Sequence, residues 1–273
     1  MQKNIYCGKL ESQGNDEQQG RVPRLQIVAK ERNRAPVVSN RHCLVIGAGV
    51  AGLYSAFLLT KLGFSVTVLE ARDRVGGRTY SVDGVDLGGS WVSTQQPHVY
   101  QLCQELGLKL IPQHEEGLVV LSMNNVRTIY NNGVSGAMGG DESNQISKYI
   151  EIFDKWAFEL DLAAEFYQRL DHISVPDWLN QNVDDQETID FFNFFISGIS
   201  TTHKNRISML FFLYFLKQGR GFKCLTGNAN AAQEFRVIGG TQTISHKLAS
   251  SLDVKLNQCV TSVIRQENKK YLV

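Results

Sequence analysis

The feature that most constrains this chain is a glycine-rich turn between an apolar run and a helical pattern. Residues 43–46 have the character of a buried parallel strand, and residues 50–62 are predicted to form a helix. Gly47, Gly49 and Gly52 lie at and after the junction. In such a turn the first glycine permits the bend, the second lets a pyrophosphate approach the backbone, and the third lets the helix pack on the strand. The pattern therefore predicts a nucleotide-binding strand–turn–helix unit.

An acidic residue stands where this kind of site requires one. Residues 65–69 form a second β-rich run, and Glu70 ends it, 23 positions after Gly47. A carboxylate there can accept both ribose hydroxyls, while the N–H groups that open the helix, at Val50 and Ala51, favour phosphate. A purely structural turn is the alternative, and this context disfavours it. These residues alone leave both NAD and FAD open.

The segment that follows Glu70 separates the two cofactors. It reads E-A-R-D-R-V-G-G-R-T over residues 70–79, with a glycine pair between arginines. The glycines let the chain pass close beside a dinucleotide, and fixed guanidinium groups add forked donors for phosphates. A solvated charged loop is the alternative, but such a loop does not require two adjacent glycines here. The segment favours FAD.

Three segments in order resemble the FAD-binding signatures of the flavin amine oxidase family. They are V-I-G-A-G-V-A-G-L (residues 45–53), L-E-A-R-D-R-V-G-G-R-T (69–79) and D-L-G-G-S-W-V (86–92). Within that family, residues 207–218 and 232–242 are similar to the monoamine oxidases. The resemblance covers residues 41–273 and implies an α/β fold: a Rossmann-like FAD-binding domain with an inserted, mainly helical substrate domain.

The resemblance also implies roles for particular residues. The FAD-contacting positions it implies are Gly47, Gly49, Val50, Ala51, Gly52, Glu70, Ala71, Arg72, Gly77, Arg78, Gly88, Gly89, Ser90, Trp91 and Val260. Trp91 would lie beside the flavin ring, with simple core packing as an equal alternative. Val260 would meet the adenine through its backbone. Gln233 would face the substrate cavity, although residues 222–230 before it depart from the family pattern.

The chain is expected to divide into four parts. Residues 1–40 are polar and aperiodic and are predicted to be a disordered leader. Residues 41–97 would form the first part of the FAD-binding domain, and 98–232 a partial substrate domain with the helical insertion. Residues 233–273 would return to the FAD-binding domain and leave it incomplete.

Hydrophobic periodicity predicts the elements after the first strand–helix–strand unit. One apolar stripe predicts a single long helix over residues 143–170. A capping box at Ser174 and Asp177 is expected to open the next helix. The remaining predictions are helices at residues 99–106, 187–196, 207–217 and 243–252, a hairpin at 118–121 and 126–130, and strands at 235–238, 254–256, 260–264 and 271–273.

The resemblance implies an enzyme that converts an amine, O2 and water into an aldehyde, ammonia and hydrogen peroxide. In the family, a second flavin wall, an aromatic cage and a lysine near flavin N5 lie further along, so the catalytic residues are unknown and expected beyond Val273. Because the last predicted strand ends at the C-terminus, we expect an N-terminal fragment that is inactive alone. The alternatives are a catalytically dead FAD- or nucleotide-binding module and another flavoprotein of the superfamily, such as a carotenoid desaturase-like or protoporphyrinogen oxidase-like enzyme.

Composition narrows the partners. A formal net charge of +1 argues against nucleic acid as the main partner. The five cysteines lack C-x-x-C spacing and are expected to be reduced thiols; no metal site is expected. No signal peptide or membrane segment is evident, so a cytoplasmic location is expected, or the mitochondrial outer membrane if a longer protein carries a C-terminal tail. The expected partners are an amine and O2, and a homodimer is left open.

Overall fold

The computed structural model describes residues 42–114, 116–123, 126–130, 145–267 and 270–273. The predicted leader and the first two residues of the predicted long helix lie outside these ranges. In chain order the elements are β1 (His42–Ile46), α1 (Val50–Lys61), β2 (Ser65–Leu69), β3 (Ser81–Val82), β4 (Val85–Asp86), β5 (Trp91–Val92), α2 (Pro97–Glu105), β6 (Leu110–Pro112), β7 (Val119–Met123), β8 (Val126–Tyr130), α3 (Gln145–Phe158), α4 (Glu165–Leu170), α5 (Val175–Asn182), α6 (Gln186–Ser200), a 3-10 turn (Lys204–Arg206), α7 (Met209–Gln218), α8 (Phe222–Thr226), β9 (Phe235–Val237), α9 (Gln242–Ala249), β10 (Asp253–Lys255), β11 (Ile264–Arg265) and β12 (Tyr271–Leu272).

A parallel sheet of three strands, in the order β1-β2-β10, carries the predicted strand–helix–strand unit. Val45, Val68 and Val254 are laterally paired across it, and fully buried Val68 packs in one core with Leu53 of α1. The carboxyl ends of the three strands meet at one edge of the sheet, because all three run in the same direction. Ligands of open α/β sheets bind outside this edge.

A second sheet of three strands is antiparallel and has the strand order β5-β9-β6. One of its faces is buried, with Val92 and Val237 in the same core as the parallel sheet. On the other face Trp91, Arg236 and Ile111 are laterally paired, and the side chains of Trp91 and Ile111 are each 46% exposed. We call this second side the open sheet face.

The helices from α3 to α8 enclose a separate hydrophobic core. Phe153 of α3 lies fully buried at its centre. The rings that contact Phe153 belong to Tyr149, Trp156, Trp178, Phe192 and Phe212. Over the described ranges, no helix combines the length and the apolar character that a membrane crossing requires.

Side-chain caps define where three of these helices begin: α5, α6 and α7, the last through Ser208, whose Oγ accepts the Phe211 N–H at 3.1 Å. The cap predicted at Ser174 is confirmed, since Asp177 N donates to Ser174 Oγ at 3.3 Å; the Asp177 carboxylate accepts the Ser174 hydroxyl and not its backbone N–H. Asp185 caps α6 in the same way and accepts the Thr188 N–H at 2.9 Å. Hydrogen bonds from the side chain and then the backbone of Thr188 lower the pKa of Asp185, because they favour its charged form.

Two predicted elements are wrong. The single helix predicted over residues 143–170 is two helices, α3 and α4. The helix is interrupted because Asp161 Oδ1 accepts the Ala163 N–H at 2.9 Å and Lys217 Nζ donates to the Leu160 carbonyl at 3.1 Å. The strand over 260–264 is irregular up to Ile264, where β11 begins. The other predicted elements are confirmed to within a few residues. The short strands β3 to β6, the 3-10 turn and α8 were not predicted.

Candidate dinucleotide-binding site

The glycine turn leaves β1 at the carboxyl edge of the parallel sheet. Gly47 has φ +97°, a conformation that side chains disfavour, and its N–H donates to the Leu69 carbonyl at 2.8 Å. Gly52 lies in the first turn of α1, and a Cβ built on it would be 2.1 Å from the Gly47 carbonyl oxygen. The helix can therefore pack on the turn only because position 52 has no side chain.

The outer side of the turn is open. A Cβ built on Gly47 or Gly49 would meet no atom within 4 Å among the described residues. Gly49 is the N-cap of α1 and has no side chain to bond the N–H groups of the first turn, which include Val50 and Ala51. A helix N-terminus carries about +0.5 of an elementary charge. An anionic pyrophosphate fits this uncapped, uncovered place.

Glu70 is directed at the turn. Its residue is 7% exposed, and its Oε2 accepts the Ala48 N–H at 2.7 Å while Oε1 accepts the Arg72 N–H at 2.9 Å. Each carboxylate oxygen has two acceptor sites, so each keeps one after these bonds. The carboxylate is thus held rigidly beside the turn with capacity for ribose hydroxyls.

The arginine–glycine loop lies against the same turn. Gly76 N donates to the Ala48 carbonyl at 2.8 Å, and a Cβ built on Gly77 would lie 3.4 Å from Gly49 Cα. The side chains of Arg72 and Arg78, and Ala71 between Glu70 and Arg72, are exposed. The structure therefore brings the predicted loop residues to the turn and leaves the two guanidinium groups at its surface.

Arg74 was not predicted to have a role at this site. Its Nη1 donates to the Gly77 carbonyl at 3.2 Å, and its guanidinium carbon lies 4.1 Å from the centre of the Tyr80 ring. Both contacts fold the loop on itself, so Arg74 shapes the loop from within. The spacing of three arginines around one glycine pair was the signal for this residue.

The next predicted segment returns alongside the loop. Gly89 N donates to the Arg78 carbonyl at 3.1 Å, and a Cβ built on Gly88 would be 2.1 Å from that same oxygen. Ser90 Oγ donates to the Gly88 carbonyl at 3.1 Å. Close backbone contact therefore accounts for Gly88, while a Cβ on Gly89 would meet nothing within 4 Å among the described residues.

Trp91 lies on the open sheet face and not in a core. Its indole N–H donates to Gln113 Oε1 at 3.2 Å. The ring stands beside Arg236 and shares the face with half-exposed Ile111. Simple core packing thus does not account for this tryptophan.

The two remaining predicted residues lie in different surroundings. Val260 is half-buried and follows Gln258, whose N–H donates to the Glu70 carbonyl at 2.8 Å, so its segment runs beside the acid. Gln233 instead packs on the helical part, where its Nε2 approaches the Leu225 carbonyl at 3.4 Å. The structure places the segment that carries Val260 beside Glu70, and Gln233 against α8.

The described residues contain no cluster of three or more His, Cys, Asp or Glu side chains that could hold a metal. The described cysteines form no disulfide. Burial raises the pKa of the Cys103 thiol to about 11, so this thiol stays protonated and is a poor nucleophile at neutral pH.

Replacing Glu70 by glutamine is expected to weaken both the fold and ADP binding. The amide keeps one acceptor oxygen but turns a donor towards a backbone N–H, which costs about 1–3 kcal/mol in the free energy of unfolding. We expect about tenfold weaker ADP binding in calorimetric titrations, the equivalent of one lost hydrogen bond. The control is Glu165→Gln on α4, where a carboxylate with 76% exposure pairs with Arg169. Equal behaviour of the two variants would contradict the role of Glu70.

Comparison with known proteins identifies one family whose model matches most of the chain. The model of the family described as flavin containing amine oxidoreductase matches residues 50–273. The probable flavin-containing monoamine oxidase A of Dictyostelium discoideum is 31% identical over 237 residues, which cover 83% of this chain and 52% of that protein. Putrescine oxidase of Kocuria rosea is 33% identical over 222 residues, 78% of this chain and 46% of that protein.

Solved structures resemble the chain over the same extent. Wild-type putrescine oxidase bound to putrescine has a TM-score of 0.67 and 34% identity, over 80% of this chain and 51% of that one. Cyclohexylamine oxidase from Brevibacterium oxydans has a TM-score of 0.74 over 84% of this chain and 55% of that one, and at 22% identity it supports the fold alone. The chain spans about half the length of these relatives.

Proposed function

Because the chain belongs to the family of flavin containing amine oxidoreductases, we propose that it supplies the part of an FAD-dependent amine oxidase that binds the ADP half of the cofactor. FAD is the cofactor that the family indicates. The observation that carries the proposal is the Glu70 carboxylate fixed 2.7 Å from Ala48 N beneath open space at the glycine turn. An acid and an uncapped helix start at this spacing suit a ribose and a pyrophosphate.

The pyrophosphate would lie over Gly47 and Gly49. Nothing within 4 Å fills the place of a Cβ at either residue, so phosphate oxygens could approach the backbone N–H groups that open α1, at Val50 and Ala51. Gly52 would act indirectly, because it lets the helix reach the turn. Exposed Arg72 and Arg78 would add counter-charge from the loop.

The adenosine and the flavin would extend in opposite directions from the turn. Glu70 would accept the ribose hydroxyls, with Ala71 beside it and the backbone of Val260 near the adenine. Gly77 would let the loop pass close to the phosphates. The ribityl chain and flavin ring would follow the segment Gly88, Gly89, Ser90 and Trp91, which leads from the loop to the open sheet face.

The proposed reaction converts an amine, O2 and water into an aldehyde, ammonia and hydrogen peroxide. Bound FAD would supply the acceptor for a hydride equivalent from the carbon beside the amine. The described residues would bind and orient the cofactor, and Gln233 would border the amine cavity. Putrescine is bound by one solved relative; the amine used here would be set by residues around that cavity.

A binding module without oxidase activity is the second candidate. The open sheet face is compatible with it, because within the described residues Trp91 and Ile111 are each 46% exposed where the flavin ring would lie. Amine oxidation requires water to be excluded from the reacting centre. In this form of the proposal the chain grips the ADP half and leaves the ring in solvent.

The first test measures which half of FAD the chain recognises. We expect ADP and FAD to bind with similar affinity in calorimetric titrations and FMN, which lacks the AMP portion of FAD, to bind no better than buffer controls. We also expect FAD to dissociate during gel filtration, because the open sheet face gives the ring little contact. FMN binding as tight as FAD would contradict the site, and stoichiometric flavin retained through the column would contradict the second expectation.

Gly49→Val is the matched variant for this experiment. The Cβ of this valine would meet no described atom within 4 Å, and the backbone there has φ −72° and ψ 169°, a conformation that valine adopts easily. Its unfolding midpoint is therefore expected to stay unchanged while ADP binding is lost. Retained ADP binding in this variant would place the ligand elsewhere.

A further inference from the structure

We propose that Asp86 and Gln242 are positioning residues for the dinucleotide: together they hold the loop of residues 75–79 against the glycine turn. The inference rests on the proposed function of that turn. Neither side chain was assigned a role by the sequence, although Asp86 opens the D-L-G-G-S-W-V segment and Gln242 ends the segment of residues 232–242.

The side-chain amide of Gln242 forms hydrogen bonds with both Val75 and Ser81. The residue is 5% exposed at the start of α9. Its Nε2 donates to the Val75 carbonyl at 2.8 Å, and its Oε1 accepts the Ser81 N–H at 2.9 Å. A side chain 167 positions from Val75 therefore holds the first residue of the loop and also Ser81, two positions beyond the end of the loop.

Asp86 fastens the same region from the other side. Its side chain is 1% exposed, and its Oδ1 accepts from Thr241 N at 2.8 Å and from Ser81 Oγ at 2.6 Å; the Thr241 hydroxyl lies 2.9 Å away and is also within reach of the Gly89 carbonyl. Its Oδ2 is buried without a hydrogen-bond partner among the described residues and lies 3.8 Å from Arg236 Nη2. One buried oxygen thus joins β3, β4 and the turn before α9.

The hydrogen bonds of Gln242 and Asp86 hold Ser81 against the turn at Gly240, with no room for a side chain at position 240. Gly240 has φ +86°, and a Cβ built on it would lie 2.4 Å from Ser81 Oγ and 3.1 Å from Asp86 Oδ1. The backbone N–H of Gln242 donates to that same Ser81 Oγ at 3.2 Å. Ser81 is therefore the common partner of both positioning residues.

The position of the loop is passed on to the pyrophosphate site through Gly76. Val75, which Gln242 holds, immediately precedes Gly76. Gly76 in turn donates to the Ala48 carbonyl at 2.8 Å and forms a parallel bridge with Gly49. Neither Asp86 nor Gln242 needs to touch the ligand, because each acts on it through the backbone of this loop.

Three variants and one control test the inference on the full chain, with ADP as the ligand. Gln242→Met keeps an unbranched side chain but removes both hydrogen bonds of the side-chain amide, and Asp86→Ala removes the carboxylate acceptor. Each variant is expected to bind ADP about tenfold more weakly, a loss equivalent to one hydrogen bond. Asp86→Asn keeps the acceptor oxygen and is expected to restore most of the affinity. Thr188→Val removes the hydroxyl of a fully buried residue in the helical core and is expected to leave ADP affinity unchanged.

The hydrogen-exchange rate of the Gly76 amide distinguishes an effect on the loop from the mere loss of the hydrogen bonds that Gln242 itself makes. Gln242 does not bond the Gly76 N–H, so faster exchange at Gly76 in Gln242→Met, and not in Thr188→Val, is the expected result. Unchanged exchange at Gly76 with unchanged ADP affinity would overturn the inference alone. An unsubstituted chain that binds no ADP would overturn the proposed site and the inference with it.

Discussion

A chain with valine in place of Gly52 is expected to lose ADP binding and to unfold at a lower urea concentration than the unsubstituted chain. A Cβ at this position would lie 2.1 Å from the carbonyl oxygen and 3.2 Å from the carbonyl carbon of Gly47. These are backbone atoms and cannot rotate away like the end of a flexible side chain. Overpacking of this kind costs about 1–3 kcal/mol, and more where the backbone resists. Urea unfolding and an ADP titration measure the two effects.

Gly198→Ala is the control, because it also adds a side chain to a helical glycine. A Cβ on Gly198 in α6 would meet no atom within 4 Å among the described residues. The helix propensity of alanine should therefore raise the free energy of unfolding by up to about 1 kcal/mol, with ADP binding unchanged. If the Gly52 variant behaved like this one, the packing of α1 on the glycine turn would be refuted.

Phe153→Ala is expected to cause the largest loss of stability in the helical part, about 3–5 kcal/mol. Phe153 is fully buried, and its ring lies 5.0 Å from that of Phe192 and 5.6 Å from that of Phe212, both edge-on. Truncation would remove the ring that α3 contributes to the centre of this core and leave a cavity. The free energy of unfolding, measured in urea, gives the loss.

Phe194→Ala provides the comparison on the surface of α6. Its side chain is 62% exposed, so its removal should change stability by no more than about 0.5 kcal/mol. Because the helical core is separate from the core beneath the glycine turn, ADP affinity should be retained by the folded fraction of the Phe153 variant. Equal losses in the two phenylalanine variants would show that Phe153 is not the centre of the helical core.

The parts of the fold that the sequence predicted are those set by neighbouring residues. The turn at Gly47, the helix from Val50 and the acid at Glu70 follow from patterns within about thirty residues. The cap at Ser174 is equally local, since it acts on the N–H three positions further along. In these places pattern and structure agree because the same short-range contacts decide both.

The parts that escaped prediction depend on distant partners. The apolar stripe over residues 143–170 continues through the break between α3 and α4, which is stabilised by Lys217 Nζ on the Leu160 carbonyl. Gln242 likewise meets Val75 across 167 positions. A hydrogen bond of this kind has no local pattern, so these residues emerged from the structure.

The pairing of β10 with β2 also bears on the order in which the molecule can assemble. Asp253 Oδ2 accepts the Thr67 hydroxyl across 186 positions, and the strands that carry them are adjacent in the sheet. During synthesis, β1, α1 and β2 emerge long before their third strand exists. The helices between them have a core of their own and can condense in that interval, so the nucleotide site is expected to be among the last regions to mature, since contacts of long sequence separation form slowly.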